Sequence, residues 1–372
     1  RPPEEIAIKC EAVWYQAMDA IGVKRPTVDP HATAYVTEMI ALVEELVDRG
    51  SAYVTSDGVY LSVETIEDYG LLAHQSLQDM RAGGGDRALV GEEKRDPADF
   101  VLWKLAKPGE PSWDSPWGAG RPGWHTECVV MSLDLLGERF DLHGGGRDLA
   151  FPHHENERAQ AVALGREFAA HWVHNGWVEV GGEKMSKSLG NFTNLLDLIE
   201  NVDPRAYRLL VLQSHYRSPL EISKDTTDRA ERSLAGLDAF ARRVGAEVPA
   251  PGAPDGDTIQ RFRDAMDDDL DTPAAMALVF DSVRKVNALL DAGDVAGAAP
   301  IASAVFDVCG ALGLVLHADV AEVPAEVAAL AAERDAARAS KDFARADAIR
   351  GELQADGWVV EDTASGTLVR RP

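Results

Sequence analysis

Residues 121–128 read RPGWHTEC, residues 140–157 read FDLHGGGRDLAFPHHENE, and residues 181–191 read GGEKMSKSLGN. The middle stretch decides the fold. Phe140 to His143 has the make-up of a short strand, Gly144, Gly145 and Gly146 follow it directly, and Pro152 stands where a helix can begin. Outward from there, Val129 to Gly137 is predicted as helix, residues 153–164 as helix, and Trp172 to His174 as strand. Such alternation argues an α/β sheet, with ligands at the carboxyl ends of its strands.

The same stretch carries three sets of chemistry. Cys128 lies twenty-five residues before His153, and Glu157 follows His153 by four. On one helix, positions i and i+4 share a face. A thiolate, an imidazole and a carboxylate suit zinc, and three protein ligands leave a position for substrate. A buried cysteine with two surface polar residues explains the spacing equally well. The three glycines permit positive φ and close approach of a ligand, and Asp148 just beyond them suits ribose hydroxyls. A plain strand-to-helix turn fits them as well. Lys184 and Lys187, set among Ser186, Ser188, Gly181, Gly182 and Gly190, could neutralise charge on a transferring phosphate. By composition alone that segment is a solvated loop.

The order of these pieces carries more weight than any one of them. KMSKS after GWHTEC and HGGGRDLAFPHHENE resembles cysteinyl-tRNA synthetase, a class I aminoacyl-tRNA synthetase. DFVLWK at 99–104, SPWGAGRPGW at 115–124, AMDDDLDTPAA at 265–275 and DGWVVEDTASGT at 356–367 extend the resemblance over essentially the whole chain.

The resemblance implies an α/β fold: the remainder of a class I Rossmann-type catalytic domain over 1–192, with an insertion at about 30–120 and a second Rossmann half at about 121–192. A stem-contact helical region (193–243), a helical bundle (244–318) and a small anticodon-binding domain (319–372) follow. It also implies a first Rossmann half ahead of Arg1, with a His-x-Gly-His motif and a further cysteine ligand. Of the chain's cysteines, Cys10, Cys128 and Cys309, none matches that ligand.

The implied activity joins cysteine to tRNA(Cys) in two steps, through a cysteinyl adenylate made from ATP with release of pyrophosphate. Lys187, helped by Lys184, would stabilise the pyrophosphate, while Gly144, Gly145, Gly146, Asp148 and Lys187 would hold ATP with Mg²⁺. Trp124 and His143 would line the cysteine pocket. One Zn²⁺ on Cys128, His153 and Glu157 would select the thiol, since a serine hydroxyl gains far less from a soft-ligand site. His125, His143 and His154 either orient ligands, accept protons or are plain structural histidines.

Composition bounds these readings. At 372 residues two or more domains are expected, and 45% hydrophobic content supplies their cores. Three cysteines are too few for a disulfide framework and suit a reducing compartment, so a cytoplasmic protein is expected; a monomer is the expected form. No apolar run is long enough for a membrane span. A net charge of −25 sits awkwardly with tRNA binding. Local clusters at Arg205, Arg208, Arg217 and Lys224, then Arg229, Arg232, Arg242 and Arg243, and at Arg334, Arg338, Lys341, Arg345 and Arg350 are either an RNA face or helix surfaces with neighbouring acids.

The flanks are predicted from periodicity and turn residues. Helices are expected over 4–21, 31–49, 226–243 and 258–293 and a helix pair over 325–354, with a linker at 244–255. Hairpins are expected around Ser56-Asp57-Gly58 and around Ser365-Gly366. Three rival functions remain open: a cysteine–amino-sugar ligase of the mycothiol pathway, a non-catalytic RNA-binding fragment, and a structural zinc site. Residues 240–372 argue against the first, because a sugar-amine ligase needs no anticodon domain.

Overall fold

The computed structural model describes all residues except 1, 75, 77–92, 182, 186–193, 250–251, 319–323, 364–365 and 371–372. The chain divides into two compact units, Arg1–Asp228 and Arg229–Pro372.

The first unit opens with helix α1 (Pro3–Ala20) and helix α2 (Val36–Asp48). Val36, Met39, Leu42, Val43 and Leu46 recur at helical spacing and are buried on one face of α2. Gly50, at φ +75°, ends the helix as its position after the last periodic residue predicts. An antiparallel meander follows: β1 (Ala52–Thr55), β2 (Gly58–Leu61), β3 (Phe100–Leu105) and β4 (Gly120–Pro122). The Thr55↔Gly58 pairing closes the expected hairpin.

Helix α3 (Trp124–Leu136) starts five residues earlier than the predicted Val129. Its first turn is therefore Trp124-His125-Thr126-Glu127, so the whole WHTEC motif is helical. Strand β5 (Leu142–Gly146) pairs in parallel with β6 (His171–Asn175), with Gly144 opposite Val173, Gly145 opposite His174 and Gly146 opposite Asn175. This corrects the expected turn at Gly144–Gly146. β6 offers these glycines a partner strand, and the chain turns only at Arg147–Leu149, where Leu149 N donates to Gly146 O at 2.8 Å. A five-residue π-type turn, Ala150–His154, leads into helix α4 (Glu155–Ala163). β7 (Val178–Val180) pairs in parallel with β9 (Leu220–Glu221) and antiparallel with β8 (Glu183–Lys184).

One hydrophobic core runs through this unit. It joins Met39, Val43 and Leu46 of α2 and Leu61, Leu102 and Trp103 of the meander to Val129 of α3, Ala159 and Ala161 of α4, and Phe168. The insertion and the candidate site thus share one set of packed side chains. Elsewhere in the unit, an apolar cavity of about 930 Å³ lies between α1 and residues 194–207, bordered by Val13, Trp14, Val178, Leu195 and Tyr207.

The second unit is mainly helical. The expected helix over 258–293 is two helices, Gly256–Asp267 and Thr272–Asp291. Asp269 and Leu270 both adopt φ +57°, and the Asp271 side chain accepts from Ala274 N at 2.9 Å, capping the second helix. The expected linker at 244–255 is also shorter, because Lys224–Glu247 is one helix. Helices Ala325–Ala339 and Phe343–Ala355 pack on the hairpin β10 (Val359–Thr363) and β11 (Gly366–Arg370), around Ile349, Leu353, Trp358 and Val360.

Candidate metal centre

Helices α3 and α4 bring the three predicted ligands together. Thr126 and Gln160, both fully buried, are hydrogen-bonded across the two helices at 3.0 Å. This sets Cys128 on α3 against Glu157 on α4. The Cys128 sulfur, a His153 nitrogen and a Glu157 oxygen all lie within 4.8 Å of one another. His153 belongs to the π-type turn, yet its Nε2 still reaches Glu157 Oε1 at 2.7 Å, as i,i+4 spacing predicts.

Glu157 has no solvent exposure, and neither of its oxygens has a hydrogen-bond partner. His143 Nε2 stands 2.8 Å from Oε2 and His153 Nε2 stands 2.7 Å from Oε1, but neither approach has hydrogen-bond geometry. A buried carboxylate left so is costly unless a cation completes it. Burial pushes the Glu157 carboxyl up, while His143 and His153 bring it down to about 2, so it is ionised. Burial, and then the Glu157 charge, pushes the Cys128 thiol up to about 12. A divalent cation would reverse that and stabilise the thiolate. The donor set and the orphaned carboxylate therefore both fit a metal ion.

Histidines surround the cluster. His125 Nδ1 lies 2.8 Å from His153 Nδ1, leaving His153 Nε2 toward Glu157. Burial lowers His125 to about 4, so it is neutral and can accept from His153. His154 Nδ1 lies 2.9 Å from His174 Nε2, and burial lowers His154 to about 4. Trp124 is 60% exposed, with its ring 4.4 Å from that of His153, so it covers the cluster from the solvent side. His143, expected to line the substrate pocket, approaches the Glu157 carboxylate.

The remaining predicted residues divide. Gly146 faces Asp148, whose Oδ1 would stand 2.6 Å from a Cβ at that glycine. Lys184 pairs through its backbone with Glu179 in β8, and Lys187 lies outside the described residues. The remaining acidic residue of the HHENE run, Glu155, has a separate role that the sequence reading missed. Fully buried, it accepts from Leu72 N at 2.8 Å and Ala73 N at 3.1 Å. Asn156 accepts from the Tyr69 hydroxyl at 2.6 Å. Together they fasten residues 69–73 to the start of α4.

Several basic residues are paired with acids. Arg205 bonds Asp203, Arg243 bonds Glu247 and Asp291, Arg345 bonds Glu333, and the buried Arg334 bonds Asp362. For Arg205, Arg243 and Arg345 the structure favours helix surfaces with neighbouring acids, and Arg334 is a buried ion-pair residue.

Residues 2–232 match the class I (C) catalytic domain of tRNA synthetases, residues 261–317 the DALR domain, and residues 320–370 the cysteinyl-tRNA ligase anticodon binding domain. A methionyl-tRNA synthetase of Mycobacterium tuberculosis, solved in complex with methionyl-adenylate, superposes with a TM-score of 0.60 at 15% identity, over 84% of this chain and 77% of that one. The fold is therefore that of a class I aminoacyl-tRNA synthetase.

The chain is also 48% identical to a cysteine–tRNA ligase of Halorhodospira halophila over 367 residues, which is 96% of this chain and 79% of the relative. It is 48% identical to a cysteine–tRNA ligase of Thioalkalivibrio sulfidiphilus over 371 residues, 97% of this chain and 80% of that one. The chain belongs to the cysteinyl-tRNA synthetase family. Among the described residues no helix is long and apolar enough to cross a membrane.

Proposed function

We propose that this chain ligates L-cysteine to tRNA(Cys) at the expense of ATP, with the thiol selected at the Cys128–His153–Glu157 cluster. The observation that carries the reading is the buried Glu157 carboxylate, unpartnered by hydrogen bonds and grouped with Cys128 and His153 within 4.8 Å. One Zn²⁺ held there would offer a soft Lewis-acid position that takes the cysteine thiol in preference to the serine hydroxyl. His125 fixes the His153 tautomer, Trp124 shields the cluster from water, and His143 borders the substrate side.

ATP, with Mg²⁺, binds near Gly144–Gly146 and Asp148. The cysteine carboxylate attacks its α-phosphate, and pyrophosphate leaves with its charge offset by Lys184 and Lys187. The terminal adenosine of the tRNA then attacks the adenylate carbonyl and AMP departs. Residues 1–192 serve as catalytic domain, 193–243 contact the tRNA stem, 244–318 form a bundle, and 319–372 recognise the anticodon. The match of residues 320–370 to an anticodon-binding domain favours tRNA over an amino sugar as acceptor. The working form is a cytoplasmic monomer.

The test combines three measurements on the 372-residue chain: zinc content, cysteine-dependent ATP–pyrophosphate exchange, and cysteinylation of tRNA(Cys) beside the amino sugar. One zinc, exchange and charged tRNA are expected. Charging of the sugar alone would select the ligase of the mycothiol pathway. RNA binding without exchange would select a non-catalytic fragment.

A further inference from the structure

The three glycines of β5 are not equivalent. A Cβ on Gly144 would meet nothing nearer than Leu142 Cδ2 at 3.7 Å. A Cβ on Gly145 would lie 2.8 Å from His154 Cε1, 2.9 Å from His154 Nε2 and 3.0 Å from Leu149 Cδ1. The strand register explains the difference. Gly145 is opposite His174 in the parallel β5–β6 pair, and paired residues of neighbouring strands project to the same face. Beside the His174 ring, Gly145 therefore leaves an empty slot. His154 fills it, with Nδ1 2.9 Å from His174 Nε2. The rings of His143 and Trp172, at 4.6 and 5.3 Å, enclose it, and only 1% of the residue is exposed.

His154 is the last residue of the turn that also carries His153, and its ring nitrogen groups with His143 and Glu157 within 4.8 Å. We propose that Gly145 is a positioning residue of the metal centre: its missing side chain is the seat of His154, and that seat fixes the turn which aims His153 and Glu157 at the ion. This inference rests on the metal reading above. It gives Gly145 a task separate from nucleotide binding, while at Gly144 a methyl group would meet its neighbours only at ordinary contact distance. The rigid ring cannot retreat from an added methyl group without leaving His174, because close-packed neighbours surround it.

The test is competition for zinc against a chromophoric chelator. It compares the wild-type chain with Gly145→Ala, Gly144→Ala, His154→Ala and the Gly145→Ala/His154→Ala pair. Loss of an outer-shell support costs about 10- to 100-fold in metal affinity, so Gly145→Ala should weaken zinc by at least about tenfold. Gly144→Ala should stay within about twofold of wild type. In the His154→Ala background, where the obstructing ring is gone, adding Gly145→Ala should change affinity by less than about twofold, the signature of coupled sites.

Zinc held as tightly by Gly145→Ala as by wild type would overturn the proposal. So would an equal loss with and without His154. If Gly145→Ala alone fails to fold, as read by far-ultraviolet circular dichroism, the pair decides: recovery in the His154→Ala background supports the seat, and continued failure refutes it. A wild-type chain that takes up no zinc would refute the metal reading itself, and this inference with it.

Discussion

Glu157 Oε1 stands 2.7 Å from Nε2 of His153, four residues earlier, in a place with no solvent access and no hydrogen bond to either carboxylate oxygen. Ligand atoms of both residues and the Cys128 sulfur lie within 4.8 Å of one another, as the ligands of one cation would. Glu157→Gln keeps the volume and removes the charge. Zinc affinity should fall by at least about 100-fold, beyond the effect of an outer-shell change. The metal-free variant should also be less stable than the metal-free wild type, because the charge that His143 and His153 favour has gone. Chelator competition and thermal melts in EDTA measure both, and unchanged zinc affinity would remove Glu157 from the ligand set.

Cys128→Ser tests whether the metal selects substrate or only holds the fold. With the burial-raised thiol replaced by a hydroxyl, a poor ligand for a soft site, zinc content should fall well below one per chain. Cysteine binding, followed through Trp124 fluorescence, should weaken in parallel while circular dichroism stays unchanged. Unfolding on metal loss, with cysteine binding indifferent to zinc, would assign the ion a structural role.

Glu155→Ala should act through stability. Leu72 N and Ala73 N lose their acceptor and Arg158 loses an ion-pair partner. Leaving buried or half-buried donors unsatisfied costs about 1–3 kcal/mol. Denaturant titration should show that loss, together with faster amide exchange at Leu72 and Ala73. An unchanged midpoint would show that water replaces the carboxylate without penalty.

Asp271→Ala removes the cap that separates helices Gly256–Asp267 and Thr272–Asp291. Loss of an N-cap costs about 1 kcal/mol. Asp271→Asn, which keeps an acceptor oxygen, should recover most of it. Equal effects of the two substitutions would exclude the capping bond as the cause.

Acid should loosen the C-terminal hairpin before the rest of its unit. The hydrogen bond from Arg334, 2.7 Å from Asp362, holds that carboxyl below its ordinary 3.8. A lowered folded-state pKa contributes stability that is present above the unfolded value and is lost as pH falls through the folded one. Amide exchange in β10 should therefore accelerate as pH drops below about 4, after correction for the intrinsic rate. Asp362→Asn should flatten that response, and a wild-type profile that is already flat would contradict it.

What could be read from sequence was local. The grouping of Cys128, His153 and Glu157 was legible because an i,i+4 pair survives even when a helix begins with a π-type turn. The break at Asp271 was missed, because apolar periodicity on either side of it reads as one helix. Gly144 to Gly146 were misplaced because strand and turn are equally open to glycine. Only the pairing with Val173, His174 and Asn175 decides between them, and that pairing is a non-local event. The backbone donors to Glu155 lie more than eighty residues earlier in the chain, beyond any spacing argument.

Trp103 and Met39, both fully buried, belong to the same continuous packing as Val129 and Ala159. The meander is therefore not a cassette. Exchanging it for the equivalent piece of a relative, or trimming it to make a smaller enzyme, would change the bed on which both ligand-bearing helices rest. Chimeras cut at its borders should fail first in metal loading, and compensating changes should emerge on the inward faces of α3 and α4 rather than at the grafted joints.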